Sequence, residues 1–334
     1  MQAYQADPSS YERRVAQVSN LGYNTPNEGS PWNVPSPELE PGQAPRVFEE
    51  VVQLLKGNPS DEELVRAFVD MRAACDADYE RACVFLKEQV RAPVKLEGEV
   101  VHPTGEPGFI SARYAVVILG CRLDVDGRLR DCQVIETGPG RYAEQLIAQT
   151  SAHRYSPFML AGRPVRSRYH VNYNLWLGGP GNMDLPMDKK LEWARLRVGW
   201  TPTSSSAWTN LAAQLAVHAP EDPQYPGALE QAYALAPRYW WTATEMAWQR
   251  IQAGQHSDAL MALRPAIRRS SLGEHPNPYV LETAAAAHIG LKQCTEALAE
   301  QRKAVELLPA EWLASERERF QRRLQDYQSA CAAP

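Results

Sequence analysis

No apolar run in the chain approaches the roughly 20 residues that a membrane-spanning helix requires; the longest is YAVVILG, at 114 to 120. The N-terminus, MQAYQADPSSYERR, also lacks the apolar region of a secretory signal. The chain is therefore expected to be either cytosolic or relieved of a leader or anchor ahead of residue 1. Basic excess is missing too. A formal charge of −5 and a pI near 5.9 leave no footprint for a nucleic-acid partner unless a local patch supplies one. There is no G-x-S-x-G, and GGPGN at 178 to 182 lacks the Lys and Ser/Thr of a phosphate loop and reads as a turn between domains. None of the six cysteines shows the C-x-x-C spacing of a zinc or thioredoxin-like site. With 334 residues, two or three domains are expected, each able to bury a core.

The cysteines fall as three local couples: Cys75 with Cys83, Cys121 with Cys132, and Cys294 with Cys331. Free buried thiols are one reading of such residues. An even count in local couples favours disulfides, and with them an oxidising compartment. The first couple carries a condition. Eight residues of continuous helix rise about 12 Å, beyond disulfide reach, so Cys75 and Cys83 can bond only if the helix breaks near Asp76-Ala77-Asp78.

The second couple brackets a hairpin signal, GCRLDVDGRLRDCQVIETG at 120 to 138. Asp-Gly between alternating apolar residues marks a turn, because Gly supplies positive φ. Closure about Asp126-Gly127 sets Cys121 opposite Cys132, Arg122 opposite Asp131 and Ile118 opposite Ile135. A type I turn opened by Asp124, with a bulge at Gly127, instead sets Leu123 opposite Leu129 and turns the cysteines to opposite faces. The symmetric register is preferred because it explains three pairs at once.

Four zones follow one another. Residues 1–45 are rich in Pro, Ser, Asn and Gly, a linker composition. In 46–92 the stripe Val47, Val51, Val52, Leu55 and the capping-box spacing of Ser60 and Glu63 predict a helical pair. The zone 93–180 reads as an α+β unit: strands at about 113 to 124 and 129 to 136, a helix at about 141 to 152, and a final strand in VRSRYHVNYNLWL. There Tyr169, Val171, Tyr173, Leu175 and Leu177 alternate with Arg166, Arg168, His170, Asn172 and Asn174, the period of a sheet with one wet face.

The run from Tyr114 to Leu177 resembles the C-terminal domain of TonB energy transducers: a D-x-x-G hairpin, a helix, an aromatic-x-Pro segment at Tyr155 and Pro157, Gly-x-Pro-Val at Gly162 to Val165, and a closing strand. A TonB-like subgroup also carries a cysteine on each hairpin strand, which supports the symmetric register. The resemblance implies a small antiparallel sheet with one helix (ββαβ) that takes an extended peptide at the edge of its last strand. The candidate edge is Arg168, Tyr169, His170, Val171, Asn172, Tyr173 and Asn174. Here no membrane helix precedes the unit and about 150 residues follow it, so peptide binding is implied more than energy transduction.

Those following residues repeat. VLETAAAAHIGLKQCTEALAEQRKAVELLPAEW resembles a tetratricopeptide (TPR) repeat through Leu281, Ala284, Ala285, His288, Ala297, Ala304 and Pro309. TATEMAWQRIQAGQHSDALMALRPAI aligns with it through Met246, Ala247, Ala259, Leu263 and Ala266, and a weaker unit runs through Trp208, Ala212, Ala213, Ala232 and Pro237. Small residues at helix crossings and a period near 34 suit an all-α solenoid over 200–331. Leu313, Phe320, Leu324 and Tyr327 form the stripe of a capping helix, joined to the last repeat by Cys294 and Cys331.

Catalytic chemistry is nearly absent. DVDGR has an Arg at the third ligand position of a calcium loop, SSS at 204 to 206 reads as a helix-cap region, His170 as surface polar, and RYWW at 238 to 241 as packing. No metal or cofactor is expected. The function expected is a non-enzymatic periplasmic scaffold: the sheet takes a peptide from an outer-membrane transporter or another envelope protein, and the repeats hold a second protein. A cytosolic adaptor, or an enzyme with a site between domains, is the alternative.

Overall fold

The computed structural model describes residues 37–40, 42–99, 114–138, 142–176, 187–268, 276–310, 312 and 314–332. The Pro-rich segment up to residue 36, EVVHPTGEPGF beyond Glu99, and GGPGN lie outside these residues. The chain is mixed, with 12 helices and small antiparallel sheets among the described residues. Along the chain it divides into two compact units, with the boundary between Ala207 and Trp208. No described helix is long and apolar enough to cross a membrane.

The first unit opens with α1 (Ala44–Lys56), α2 (Asp61–Asp76) and α3 (Glu80–Gln89). Ser60 and Glu63 form the expected capping box at the start of α2. Three helices stand where a pair was expected, because Asp78 takes φ +62° and ends α2 within two residues. That break meets the condition on the first cysteine couple: Cys75 and Cys83 are disulfide-bonded, with Cα atoms 4.8 Å apart. The three helices bury Phe48, Phe68, Met71 and Leu86 in one core with Phe158, Leu160 and Val165. They share that core with strands of the α+β zone.

That zone comprises β1 (Val90–Arg91), β2 (Lys95–Glu97), β3 (Tyr114–Leu123), β4 (Leu129–Glu136), α4 (Tyr142–Ala152), β5 (Arg154–Tyr155), β6 (Phe158–Leu160), β7 (Arg163–Val165) and β8 (Ser167–Trp176). Three sheets result, in the orders β1-β6-β7, β2-β5 and β4-β3-β8. The β6–β7 turn is two residues, Ala161 and Gly162, both at positive φ, the type I′ arrangement that suits a hairpin's twist.

The register of β3 with β4 corrects the preferred reading. Leu123 pairs with Leu129, and Asp124 and Gly127 close the turn, as in the alternative with a bulged Gly127 at φ +78°. Ile118 meets Glu136 rather than Ile135. The cysteines nevertheless meet. Asp131, at φ +50°, marks a second irregularity that advances β4 by one residue, so Gly120 pairs with Gln133 and Cys121 bonds Cys132 across 4.0 Å. Turn chemistry set the register at the tip, and the bulge restored it two rungs later.

On one face of β4-β3-β8, Val117, Leu119, Cys121 and Leu123 pack with Tyr173, and with Tyr142 and Leu146 of α4. The hydroxyls of Thr150 and Tyr173 share a hydrogen bond inside this core. α5 (Met187–Trp200) belongs to the same unit, a membership the sequence reading missed. Arg197 explains it: its Nε donates to Glu136 Oε1 at 2.7 Å, with both side chains almost wholly buried. Ser204 Oγ donates to the other carboxylate oxygen and caps Ala207, so SSS is the cap region expected and an anchor as well.

The second unit is helical: α6 (Ser205–His218), which begins at the boundary, then α7 (Gln224–Leu235), α8 (Trp240–Gln252), α9 (His256–Arg268), α10 (Pro278–Gly290), α11 (Cys294–Glu306) and α12 (Ala314–Ala332). α8–α9 and α10–α11 are TPR-like helical hairpins. Ala247 and Ala285, Ala259 and Ala297, and Ala266 and Ala304 are all fully or almost fully buried, each pair 38 positions apart rather than about 34. The hairpin turns recur at the same spacing, at Gly254 (φ +75°) and Lys292 (φ +60°). α12 caps the stack. Arg319 makes a bidentate pair with buried Glu282, Gln301 donates to the carbonyl of Phe320, and Cys294 bonds Cys331. Trp240 of RYWW stacks on Tyr279, 5.7 Å between centroids, and Trp241 is fully buried, so the motif packs as expected.

Candidate functional site

Successive side chains of a strand alternate between faces, which divides the candidate edge residues of β8 into two sets. Tyr169, Val171 and Tyr173 face the core under α4. Arg168 and His170 face the other way, into a cavity of about 630 Å³. The backbone of Asn172 and Asn174 continues the ladder with β3, opposite Ile118 and Val116. β8 pairs along all ten residues with β3, and among the described residues it carries no ladder on its other side. Among the described residues the strand is therefore the last of its sheet.

On this face Arg166, Arg168 and Asn172 are exposed, as a wet face requires, and the cavity corrects that reading for His170 alone. Its floor is the sheet, with Gly120 and Arg122 of β3, Gln133 and Ile135 of β4, and Arg168 and His170 of β8. Its wall is α2, through Val65, Phe68 and Val69. A Cβ on Gly120 would lie 2.6 Å from Ile135 Cδ1 and 3.4 Å from His170 Nε2, so the absent side chain gives the cavity its depth. Burial, with the nearby charge of Arg168, pushes the His170 imidazole down to about 4, and the ring is neutral at pH 7. His170 is thus a half-buried part of the floor, not a solvated surface group.

Arginines cross this face in a row. Arg122 lies opposite Arg130 on one side and Arg168 on the other. Like charges on adjacent strands repel, and acids from the turn offset them. Asp124, whose side chain is only 15% exposed, accepts from Arg122 Nε and Arg130 Nε at 2.8 Å each and lies 3.2 Å from Arg166 Nε. Arg122 also pairs with Asp131, Arg130 with Asp126, and Arg166 with Asp61 of α2. The carboxylates of DVDGR are thus held by guanidinium groups. No cluster of three or more metal-ligating side chains occurs among the described residues.

The part of the site that sequence reasoning missed is the α2 wall. Val65 and Val69 stand one helical turn apart and off the stripe of Leu64, Ala67, Phe68 and Met71 that enters the core. Surplus apolar positions on an otherwise charged face were the available signal, since Val65 remains 38% exposed.

No family model matches the chain, and no curated protein matches it. Among solved structures, the crystal structure of a thermophilic TPR protein from Thermus thermophilus is similar at 20% identity and a TM-score of 0.32, over 43% of this chain and 73% of that one.

Proposed function

We propose that the chain is a binding scaffold rather than an enzyme, and that the first unit takes an extended peptide by strand addition at the outer edge of β8. The observation that carries this is the geometry of β8: ten residues with one ladder, to β3, and a second edge without one among the described residues. Backbone hydrogen bonds would supply affinity, and alternate side chains specificity. The resemblance of this unit to TonB C-terminal domains motivates the same reading, with a segment of an outer-membrane transporter or another envelope protein as the peptide. The TPR-like hairpins of the second unit would hold a second protein partner.

The three disulfides support an oxidising, extracytoplasmic setting, which we place in the periplasm. A peptide mass map of protein taken from its native cell with thiols blocked at lysis tests this; blocked, unlinked Cys121 and Cys132 would refute it.

Strand addition is tested on the full chain by panning a display library of random dodecapeptides and measuring the affinities of the selected sequences. Val171→Pro and Asn172→Pro are compared, because successive backbone N–H groups point to opposite edges of a strand. One variant removes a donor from the free edge and abolishes capture while hydrogen exchange in β3 stays native. Selected peptides whose binding survives both prolines would overturn the proposal.

A further inference from the structure

We infer that the cavity between α2 and the sheet is the specificity pocket of this edge, and that it selects a peptide with an acidic and an apolar side chain two positions apart. The inference rests on the strand-addition reading. A strand laid along β8 sets every second side chain on the face of Arg168 and His170, with directly opposed Cβ atoms about 4.5–5.5 Å apart. The peptide's residues opposite those two positions are themselves two apart.

Charge selects the first. In the row Arg130, Arg122, Arg168, the arginines of β4 and β3 are neutralised by Asp124, Asp126 and Asp131, and Arg166 beside them by Asp61 and Asp124. Arg168, on β8, has no carboxylate within ion-pair distance among the described residues. The next rung outward belongs to the incoming strand, and an Asp or Glu there completes the alternation of charge. The cavity selects the second. Beside His170 the lining is apolar, with Ile135 on the floor and Val65, Phe68 and Val69 on the wall, and Gly120 leaves room for a side chain of leucine size.

The test uses the full chain and fluorescein-labelled nonapeptides of alternating threonine and valine carrying glutamate and leucine two positions apart, in both orders. A glutamine-for-glutamate peptide should bind about tenfold more weakly, the scale of a lost charge-assisted hydrogen bond. On the Arg168→Gln chain the two peptides should bind alike. On the Arg168→Glu chain a lysine-for-glutamate peptide should regain affinity. Equal binding of the glutamate and glutamine peptides to the wild-type chain, with binding still sensitive to proline in β8, overturns the pocket while strand addition stands. No binding by any peptide of the series, with library capture also absent, overturns both. Octanoate that saturates the cavity without competing with the peptide also overturns the inference, by making the cavity a site for small carboxylates.

Discussion

Replacing Glu136 by Gln keeps the side chain's shape and removes its charge. Arg197 then stays buried at the end of α5 with no counter-ion among the described residues, where its Nη1 has no hydrogen-bond partner even in the wild type. Isolating one member of a buried pair costs about 3–5 kcal/mol, because the remaining charge stays desolvated. Ser206 still accepts from Arg197 Nη2 at 2.8 Å, which places the loss in the lower half of that range. The two units make a single unfolding midpoint ambiguous, so the quantity to read is the opening free energy of the α5 amides by hydrogen exchange. We expect Glu136→Gln and Arg197→Met each to lower it by about 3 kcal/mol, and Glu136→Leu with Arg197→Met to cost less than either single change, since an apolar pair of similar volume replaces the ions without an orphan. A loss below about 1 kcal/mol in Glu136→Gln would refute the reasoning, because water would then have to reach the guanidinium.

Gly127→Ala should unfold the hairpin tip by more than about 2 kcal/mol, since its φ of +78° is strained for alanine and a Cβ would lie 1.9 Å from Tyr155 O; near-native exchange in β3 and β4 would contradict this. Cys294→Ser with Cys331→Ser, which opens a link across 37 residues, should lower the protection of α12 by about 2–4 kcal/mol while leaving α8 and α9 unchanged. His170 should titrate near 4 by side-chain NMR, well below its ordinary 6.5. Between those values the unfolded chain takes up a proton that the folded cavity, lined also by Arg122, Asp131, Arg166 and Arg168, refuses. Stability is therefore intact above 6.5 and falls as pH drops toward 4, by about 1–2 kcal/mol once the ring's partial exposure is allowed for. His170→Gln should remove that slope.

Features written in adjacent residues were legible before the fold. Ser60 and Glu63 announce a capping box three positions apart, Gly127 a turn, and Tyr169 to Tyr173 a strand with two unlike faces. Features decided by distant residues were not. Glu136 and Arg197 are 61 positions apart, and each alone looks like a solvated charge, so nothing local assigned α5 to the sheet. The hairpin register lay between these cases. Local chemistry offered two answers, and the strand used both: one at the tip, where Asp124 and Gly127 close the turn, and the other at the cysteines, after Asp131 inserts its bulge. A single-register reading has no place for a strand that changes register midway.

The same limit explains why half of the site was visible. Period-two alternation in β8 separates Tyr169, Val171 and Tyr173 from Arg168 and His170, but it does not say what lies over either set. A polar face is solvated by default, and arginines beside a histidine read as wet. The arginines do stay exposed, but beside His170 stands α2, about 100 positions earlier, whose Ser60 cap fixes where its first turn begins and whose Val65 and Val69 wall the cavity. The histidine is then pushed toward neutrality by burial, and the arginine row is left with one member, Arg168, that has no carboxylate partner among the described residues. Both properties belong to the assembled face. If β8 does receive a strand, its selectivity is set by a helix that precedes the sheet in the chain, and changes at Val65 or Val69 should alter which peptides bind without altering the backbone hydrogen bonds that hold them.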